Sequence, residues 1–167
     1  MIATRARDTR NLLVALDIGT SKIVTLVAEE FIAGQELTAS IITDRERGEF
    51  ALPLVRIEAP QGNYDYQNKY FTDDTKYYCP AGIRPELEDE IRAVALKSFR
   101  VLGCRGWGRA DVMLKADGGY SFLEMNTSPG MTGHSLVPIA AKAAGLGYAD
   151  LCVKILEDAR LDTGRPA

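Results

Sequence analysis

Cysteine, histidine and tryptophan are scarce in this chain: three cysteines, one histidine and one tryptophan stand among 167 residues. The cysteines, at positions 79, 104 and 152, have neither the paired spacing of a zinc site nor the even count of a disulfide framework. We therefore interpret them as reduced thiols of a cytoplasmic protein. The single histidine, His134, is interpreted as structural, because a lone histidine is more often structural than a base or a ligand.

A basic surface and a long apolar run are also absent. The formal net charge of −3 gives no electrostatic footprint for nucleic acid or anionic lipid. No apolar stretch is long enough for a membrane span, and we find neither internal repeats nor low-complexity segments. With 46% hydrophobic and 26% charged residues, the composition is typical of a globular protein that can bury a core.

The apolar pattern predicts strands and helices in a mixed order. Strands are expected on either side of a polar turn within 12–27, and again over 36–42 and 50–57, with a charged turn between the last two. Residues 60–82 hold most of the tyrosines together with turn formers, and they predict a long ordered loop of the functional kind. This order favours an α+β class, in which a largely antiparallel sheet is covered by helices.

Three helices are expected in the second half of the chain. Pro85 begins the first, which has an acidic first turn and is closed by Gly103. Ser135 caps a second helical run that ends at Gly145, and residues 148–160 predict a third. The apolar positions of the first helix are Leu87, Ile91, Val94, Ala95 and Leu102, and those of the third are Leu151, Cys152, Ile155, Leu156 and Ala159.

The most informative segment is a predicted hairpin over residues 106–126, with a turn at 116–119. Because side chains alternate along a strand, Arg109 and Asp111 share one face, as do Glu124 and Asn126. Pairing of the strands would then gather four polar groups where a half-buried strand places apolar ones. The pattern predicts a functional site. The alternative is a solvated hairpin face that carries a surface salt bridge.

The chemistry of these groups favours a hard cation and an anion. Asp111, Glu124 and Asn126 offer oxygen ligands, which suit Mg²⁺ or Mn²⁺ bound to nucleotide phosphates. A glutamate that bridges two such ions would help to neutralise a transferring phosphoryl group. Arg109 can contact a phosphate or an oxyanion through two nitrogens, and Gly130 in the following loop allows close approach to an anionic oxygen.

Residues from about Glu29 onward resemble the C-terminal part of bacterial D-alanine–D-alanine ligases, which belong to the ATP-grasp superfamily. The resemblance rests on five ordered blocks: YDYQNKY (64–70), CPAG (79–82), GCRGWGRADVM (103–113), EMNTSPGM (124–131) and HSLVP (134–138). It implies the fold of an ATP-grasp C-terminal subdomain, preceded here by an extra β-hairpin. It also implies the activity of that family, the ATP-dependent joining of two D-alanines through an acyl-phosphate and a tetrahedral intermediate for peptidoglycan synthesis.

The resemblance assigns a role to each polar residue of the predicted hairpin. Asp111, Glu124 and Asn126 would hold two magnesium ions. Arg109 and the backbone of Gly130 would stabilise the tetrahedral oxyanion.

Substrate contacts are implied on either side of the hairpin. Ser135 and the backbone of Leu136 would hold the carboxylate of the second D-alanine. Lys69, on the nucleotide side, and Tyr70, near the first substrate, match the mobile loop over the active site of the family. Tyr70 has a plain alternative as a packing aromatic in a tyrosine-rich loop.

Residues 1–28 resemble a different family, the bacterial actin-like cell-division ATPases. The match is the opening hairpin, in which an Asp-x-Gly-Thr turn that includes Asp17 contacts nucleotide phosphates. We therefore predict two domains, residues 1–28 and 29–167, and suspect a chimera. In an alternative interpretation, the first segment only replaces a strand pair of the ligase sheet.

The five blocks correspond to the later part of the sequence of these ligases. The N-terminal substrate domain of the family, and most of its central ATP-clamping domain, have no counterpart in the matched blocks. We therefore expect a magnesium-binding face with little or no ligase turnover. A homodimer is implied by the family, and an actin-like ATPase fragment or a non-catalytic chimera are the remaining alternatives.

Overall fold

The computed structural model describes the backbone of residues 13–18 and 23–28 and the whole of residues 31–58 and 75–159. The chain divides into two compact units, residues 1–33 and 34–167. In the first unit, β1 (Leu13–Ile18) and β2 (Ile23–Ala28) are antiparallel partners. The two strands of the predicted extra hairpin are therefore present, and its turn at 19–22 lies outside the described residues.

In the described part of the second unit, six strands and three helices follow. They are β3 (Gln35–Asp44), β4 (Gly48–Ala51), β5 (Val55–Glu58), β6 (Lys76–Tyr78), α1 (Pro85–Val101), β7 (Trp107–Leu114), β8 (Tyr120–Asn126), α2 (Leu136–Ala143) and α3 (Tyr148–Asp158). The strands form one sheet in the order β6-β5-β3-β7-β8, and β4 also pairs with β3. Because every one of these pairings is antiparallel, the predicted α+β class is confirmed.

Two predicted boundaries differ from the structure. The strand expected over 50–57 is interrupted between Ala51 and Val55, because Pro53 has no N–H to offer a strand ladder. At the interruption, the N–H of Leu52 donates to the carbonyl of Ser40 at 2.8 Å. The long loop expected over 60–82 contains β6, whose residues pair with β5. Residues 59–74 of that loop lie outside the described residues.

Helices cover both faces of the sheet, and alternation along β3 divides its side chains between them. Leu37, Ala39 and Ile41 pack with α1 in one apolar cluster. Ile42 packs with α2 and α3 in a second cluster, on the opposite face. Since residues 37–42 are all buried, β3 is the central strand of the molecule.

The helix α1 begins at Pro85 with Glu86 and Glu88 in its first turn, as predicted. It buries Ile91, Ala95 and Phe99 against the sheet, and Phe99 is the largest fully buried side chain among the described residues. The prediction that Leu102 belongs to this apolar stripe is wrong. Leu102 follows the last helical residue and is 62% exposed.

The helix α3 is held to the turn between β3 and β4 by polar contacts. Lys154 donates a hydrogen bond to Asp44, and Arg45 donates one to the carbonyl of Glu157. Leu151 is buried beneath the helix, as expected. The predicted apolar position Leu156 is 71% exposed and faces away from the sheet.

We predict that the stability of this attachment depends on acid pH. The hydrogen bond from Lys154, followed by those from the N–H groups of Arg47 and Glu46, lowers the pKa of Asp44 from 3.8 to about 2. A depressed carboxyl pKa contributes stability that is complete above about pH 4 and is lost as the pH falls through about 2. Urea denaturation of the parent should therefore show a steeper loss over this window than that of Asp44→Asn. Parallel pH profiles would contradict the prediction.

The three cysteines, all within the described ranges, are free thiols. Burial, and then the nearby charge of Glu88, raise the pKa of the Cys79 thiol to about 11, so this thiol stays protonated at neutral pH.

No helix in the described ranges is by itself long and apolar enough to cross a membrane. Only α2 and α3 taken together meet that test, and they are bent by 109°.

Candidate active site

The predicted polar residues lie on neighbouring strands of the sheet. In the β7–β8 ladder, Arg109 is opposite Asn126 and Asp111 is opposite Glu124. Side chains of directly opposed residues lie on the same face of a sheet. Because Ala110, between the two β7 residues, packs in the α1 cluster, these four side chains occupy the other face.

A β-bulge at Leu123 places Glu124 on this face. Phe122 pairs with Val112 and packs towards α1, and uninterrupted alternation would turn Glu124 the same way. The register shifts between Asp111 and Val112, so Leu123 has no partner and its side chain is 46% exposed. Bulges occur beside active sites and redirect side chains in this manner. The site therefore depends on one extra residue in β8.

Hydrogen bonds join the four side chains into one network. The Arg109 Nε and Nη2 atoms donate to Asp111 Oδ1 and Oδ2 at 2.7 and 2.8 Å. Asn126 Nδ2 donates to Asp111 Oδ2 at 2.8 Å and to Glu124 Oε1 at 3.1 Å. Asp111 is only 6% exposed, whereas Glu124 is exposed. The network is thus a bidentate ion pair, with Asp111 buried and Arg109 part-buried, that opens towards solvent at Glu124.

The donor set fits a hard cation that retains water or phosphate ligands. It comprises two carboxylates and one amide, and the described residues contain no cluster of three or more His, Cys, Asp or Glu that could hold a metal. Magnesium is commonly held by one or two carboxylates together with substrate phosphates. A flip of the Asn126 amide would present its oxygen in place of its nitrogen.

The loop that follows β8 brings together three further predicted residues. Ser135 precedes α2, but its hydroxyl accepts the N–H of Thr132 at 3.0 Å instead of capping the helix. A Cβ placed on Gly130 would lie 3.0 Å from Ser135 Oγ, so the backbone of Gly130 is close to this hydroxyl. Leu136 is the first residue of α2, where the N–H groups have no acceptor within the helix. Such a helix start favours anionic groups.

A tyrosine holds this loop against the last helix. The Tyr148 hydroxyl donates to the carbonyl of Met131, and burial is the main cause that raises the pKa of Tyr148. His134 lies exposed in the turn before α2. Lys69 and Tyr70 lie within 59–74, outside the described residues, so their roles stay predictions.

Sequence reasoning missed two polar residues on β3. In the β3–β7 ladder, Thr38 is opposite Asp111 and Ser40 is opposite Arg109. Both residues are 0% exposed, and neither hydroxyl has a hydrogen-bond partner. Two rows of polar side chains therefore cross β3, β7 and β8. One row is Thr38, Asp111 and Glu124, and the other is Ser40, Arg109 and Asn126. The signal in the sequence was the two-residue spacing of these polar residues within 37–42, a stretch that is otherwise apolar.

This antiparallel sheet and its helices define an ATP-grasp ligase fold. A D-alanine–D-alanine ligase from Bacillus anthracis, solved with ATP, matches with a TM-score of 0.64 and 30% identity, over 80% of this chain and 40% of that chain. VanG D-Ala:D-Ser ligase from Enterococcus faecalis matches with a TM-score of 0.66 and 32% identity, over 80% and 38%. The family model described as D-ala D-ala ligase C-terminus matches residues 3–157, and the chain therefore belongs to that family.

Curated relatives are longer than this chain. The D-alanine–D-alanine ligase of Cupriavidus necator is 61% identical over 137 residues, which are 82% of this chain and 42% of the relative. That of Azoarcus sp. strain BH72 is 55% identical over 161 residues, which are 96% and 51%. The chain therefore spans about half the length, or less, of these relatives. The family match begins at residue 3 and so includes most of the first predicted domain.

Proposed function

We propose that this chain is the magnesium-binding, C-terminal part of a D-alanine–D-alanine ligase, which joins two D-alanines with ATP for peptidoglycan precursor synthesis. The observation that carries the proposal is the hydrogen-bond network of Arg109, Asp111, Glu124 and Asn126. The high identity to proteins named as such ligases supports the choice of substrates.

In this proposal, the acidic and amide side chains of the site bind cations, and the basic side chain and a backbone N–H bind an anionic oxygen. Asp111, Glu124 and Asn126 hold two Mg²⁺ or Mn²⁺ ions, which when bound neutralise charge on the phosphoryl group of ATP. Arg109 and the N–H of Gly130 donate to the oxyanion that develops when the second D-alanine attacks the acyl-phosphate. The charge-bearing groups lie on one rigid face, which suits catalysis by positioning.

The second D-alanine is bound beside the start of α2. The Ser135 hydroxyl and the Leu136 N–H donate to its carboxylate, and the helix dipole favours the negative charge. Because the Ser135 hydroxyl accepts from the N–H of Thr132, it can donate its proton to this substrate without losing that contact. Lys69, on the nucleotide, and Tyr70, near the first D-alanine, would complete the site from the preceding loop.

A magnesium titration tests this proposal. We expect calorimetry to detect Mg²⁺ binding by the parent and to show its loss in Glu124→Ala, because the change removes a carboxylate ligand. These 167 residues span 42% of the first relative, and we expect them alone to turn over slowly, because half a cleft cannot hold reactants in line. Phosphate release with ATP and D-alanine should stay far below that of a full-length ligase. A rate near that reference would contradict the expectation.

A chimera with an actin-like ATPase is the second candidate. In its favour, residues 1–33 form a unit of their own, and the described strands β1 and β2 pair only with each other. If this unit binds nucleotide through Asp17, then Asp17→Ala abolishes magnesium–nucleotide binding and Glu124→Ala leaves it intact. The ligase proposal expects the reverse. A chain that binds neither Mg²⁺ nor nucleotide would favour the non-catalytic alternative.

We also infer a cytoplasmic location and a homodimer from membership of the ligase family. Both ATP and the proposed peptidoglycan precursor chemistry belong in the cytoplasm. Sedimentation analysis of the purified chain tests the dimer, and a monomer at all concentrations would contradict it.

A further inference from the structure

The peptide group between Met131 and Thr132, in the loop before α2, is held at both of its polar ends. Its carbonyl accepts a hydrogen bond from the Tyr148 hydroxyl, and its N–H donates to Ser135 Oγ at 3.0 Å. This peptide bond is trans, since the cis bond of the described ranges lies at Cys79-Pro80. Because a peptide group is planar, a fixed direction for its carbonyl also fixes the direction of its N–H.

The tyrosine in this arrangement stands on a helix that is attached to the sheet. Tyr148 is the first residue of α3, and Leu151, one turn further along, is fully buried in the second apolar cluster. The hydrogen bond from Lys154 to Asp44 ties the same helix to the end of β3. The Tyr148 hydroxyl therefore approaches the loop from a fixed direction. Water in its place would impose no single direction on the Met131 carbonyl.

The Ser135 hydroxyl has one proton to donate and two lone pairs that accept. It accepts from the Thr132 N–H, and its oxygen lies 2.9 Å from Thr132 Oγ1, where either hydroxyl serves as the donor. Within the described part of the chain, Thr132 is the hydrogen-bond partner of this hydroxyl. When Thr132 donates through both groups, the two lone pairs of Ser135 are in use. Its proton is then available to a carboxylate, which only accepts.

These contacts form a continuous chain of hydrogen bonds that begins at Tyr148 and ends at Ser135. Linked hydrogen bonds polarise one another, so a group that accepts a hydrogen bond becomes a better donor in turn. The tyrosine hydroxyl polarises the Met131–Thr132 peptide group, and its N–H then polarises the Ser135 hydroxyl. Both the direction and the donor strength of Ser135 therefore depend on a residue 13 positions later in the chain.

We propose that Tyr148 is a positioning residue, which acts through the Met131–Thr132 peptide group to direct the Ser135 hydroxyl at the carboxylate of the second D-alanine. This inference rests on the proposed function, in which Ser135 and the N–H of Leu136 bind that carboxylate. Tyr148 needs no contact with the substrate in this role. It holds the donor in place before the substrate arrives, which reduces the ordering cost of binding.

A titration with D-alanine, followed by NMR at the amides of Ser135 and Leu136, tests this role. We expect Tyr148→Phe, which keeps the ring and removes the hydroxyl, to weaken D-alanine affinity about fivefold, as is typical for the loss of one hydrogen bond. Tyr120→Phe is the matched control. The Tyr120 hydroxyl also donates one hydrogen bond, to Glu90 Oε1 at 2.9 Å, but Tyr120 packs against the α1 cluster. This control should bind D-alanine as the parent does.

A double-mutant cycle separates positioning from a general effect on structure. In Ser135→Ala the hydroxyl that Tyr148 directs is absent, so the further change Tyr148→Phe should weaken D-alanine binding no more. A merely structural role would lower the affinity by the same factor in both backgrounds.

Amide hydrogen exchange without ligand tests the chain of contacts by itself. The Thr132 N–H should exchange about fivefold faster in Tyr148→Phe than in the parent, because its peptide group is no longer held at the carbonyl. In Tyr120→Phe it should exchange at the parental rate.

The outcomes separate the inference from the proposed function. Parental D-alanine affinity in Tyr148→Phe, or equal losses in the two backgrounds, would overturn the inference. A parent chain that binds no D-alanine contradicts the proposed substrate site, and the exchange of the Thr132 N–H then decides the inference alone. Parental exchange in Tyr148→Phe would overturn it, and faster exchange would support it.

Discussion

Replacement of Asp111 by alanine is expected to destabilise the chain by about 3–5 kcal/mol and to abolish magnesium binding. The change removes one partner of an ion pair whose side chains are 8% exposed for Asp111 and 14% for Arg109. The guanidinium, which is largely shielded from solvent, would then lose its bidentate acceptor, and such a loss costs more than the loss of an exposed pair. Urea denaturation gives the free energy of unfolding, and calorimetry gives the affinity for Mg²⁺.

Glu124→Ala is the matched control for this prediction. Glu124 is an exposed member of the same network and has its hydrogen bond from Asn126. Its loss should change the free energy of unfolding by no more than about 0.5 kcal/mol, although Mg²⁺ binding is lost as well. If Asp111→Ala proved as stable as Glu124→Ala, the buried ion pair would not be the stabilising element that its geometry indicates.

The four residues of the network could be predicted because their grouping is a local property of the sequence. Two alternating runs around a glycine-containing turn are sufficient to place Arg109 with Asp111 and Glu124 with Asn126. The same alternation, however, assigns Glu124 to the face of Phe122, which packs towards α1. Only the bulge at Leu123 resolves this conflict, and no residue type in β8 marks it beforehand.

Thr38 and Ser40 could not be found in this way, because their importance comes from pairing between distant segments. Threonine on a strand is ordinary, and nothing near it in the sequence indicates that β7 lies alongside. The β3–β7 ladder supplies that information by setting Asp111 opposite Thr38. Register between distant strands depends on the whole hydrophobic pattern of the sheet, which a single segment does not contain.

The errors in the fold have a similar origin. Leu102 and Leu156 fit an apolar stripe by spacing, yet Leu102 lies beyond the last residue of α1 and both side chains are exposed. Pro53 is a sequence signal for the interruption after Ala51. The prediction of one strand over 50–57 gave more weight to the apolar residues around this proline. Helix starts were more predictable, since Pro85 and the acidic residues after it act within one turn.

The apolar cluster under α1 contacts the strand that carries the site at one glycine. Phe99 is fully buried under β7, and Gly108 precedes Arg109 on that strand. A Cβ on Gly108 would lie 2.9 Å from Phe99 Cε2 and 3.2 Å from the carbonyl oxygen of Asn126. The absence of a side chain at position 108 therefore lets the aromatic ring approach the strand that carries the ion pair.

Phe99→Ala is expected to destabilise the chain by about 3–5 kcal/mol, because it leaves a cavity beneath β7. Gly108→Ala alone should cost about 1–3 kcal/mol, since its methyl group has to displace the buried ring. In the Phe99→Ala background the same methyl group enters vacated space, so its cost should fall to that of the remaining contact with the Asn126 carbonyl oxygen. A double-mutant cycle of urea denaturation measures this coupling.

Additive effects in that cycle would show that Phe99 and Gly108 do not share space. With coupling present, the position of β7 depends on the fit of the ring against the glycine backbone. Gly108→Ala alone should then also weaken Mg²⁺ binding, because the strand has to shift at the residue before Arg109 and beside the carbonyl of Asn126. The double variant should recover part of that affinity, which links the packing of α1 to the geometry of the site on the opposite face.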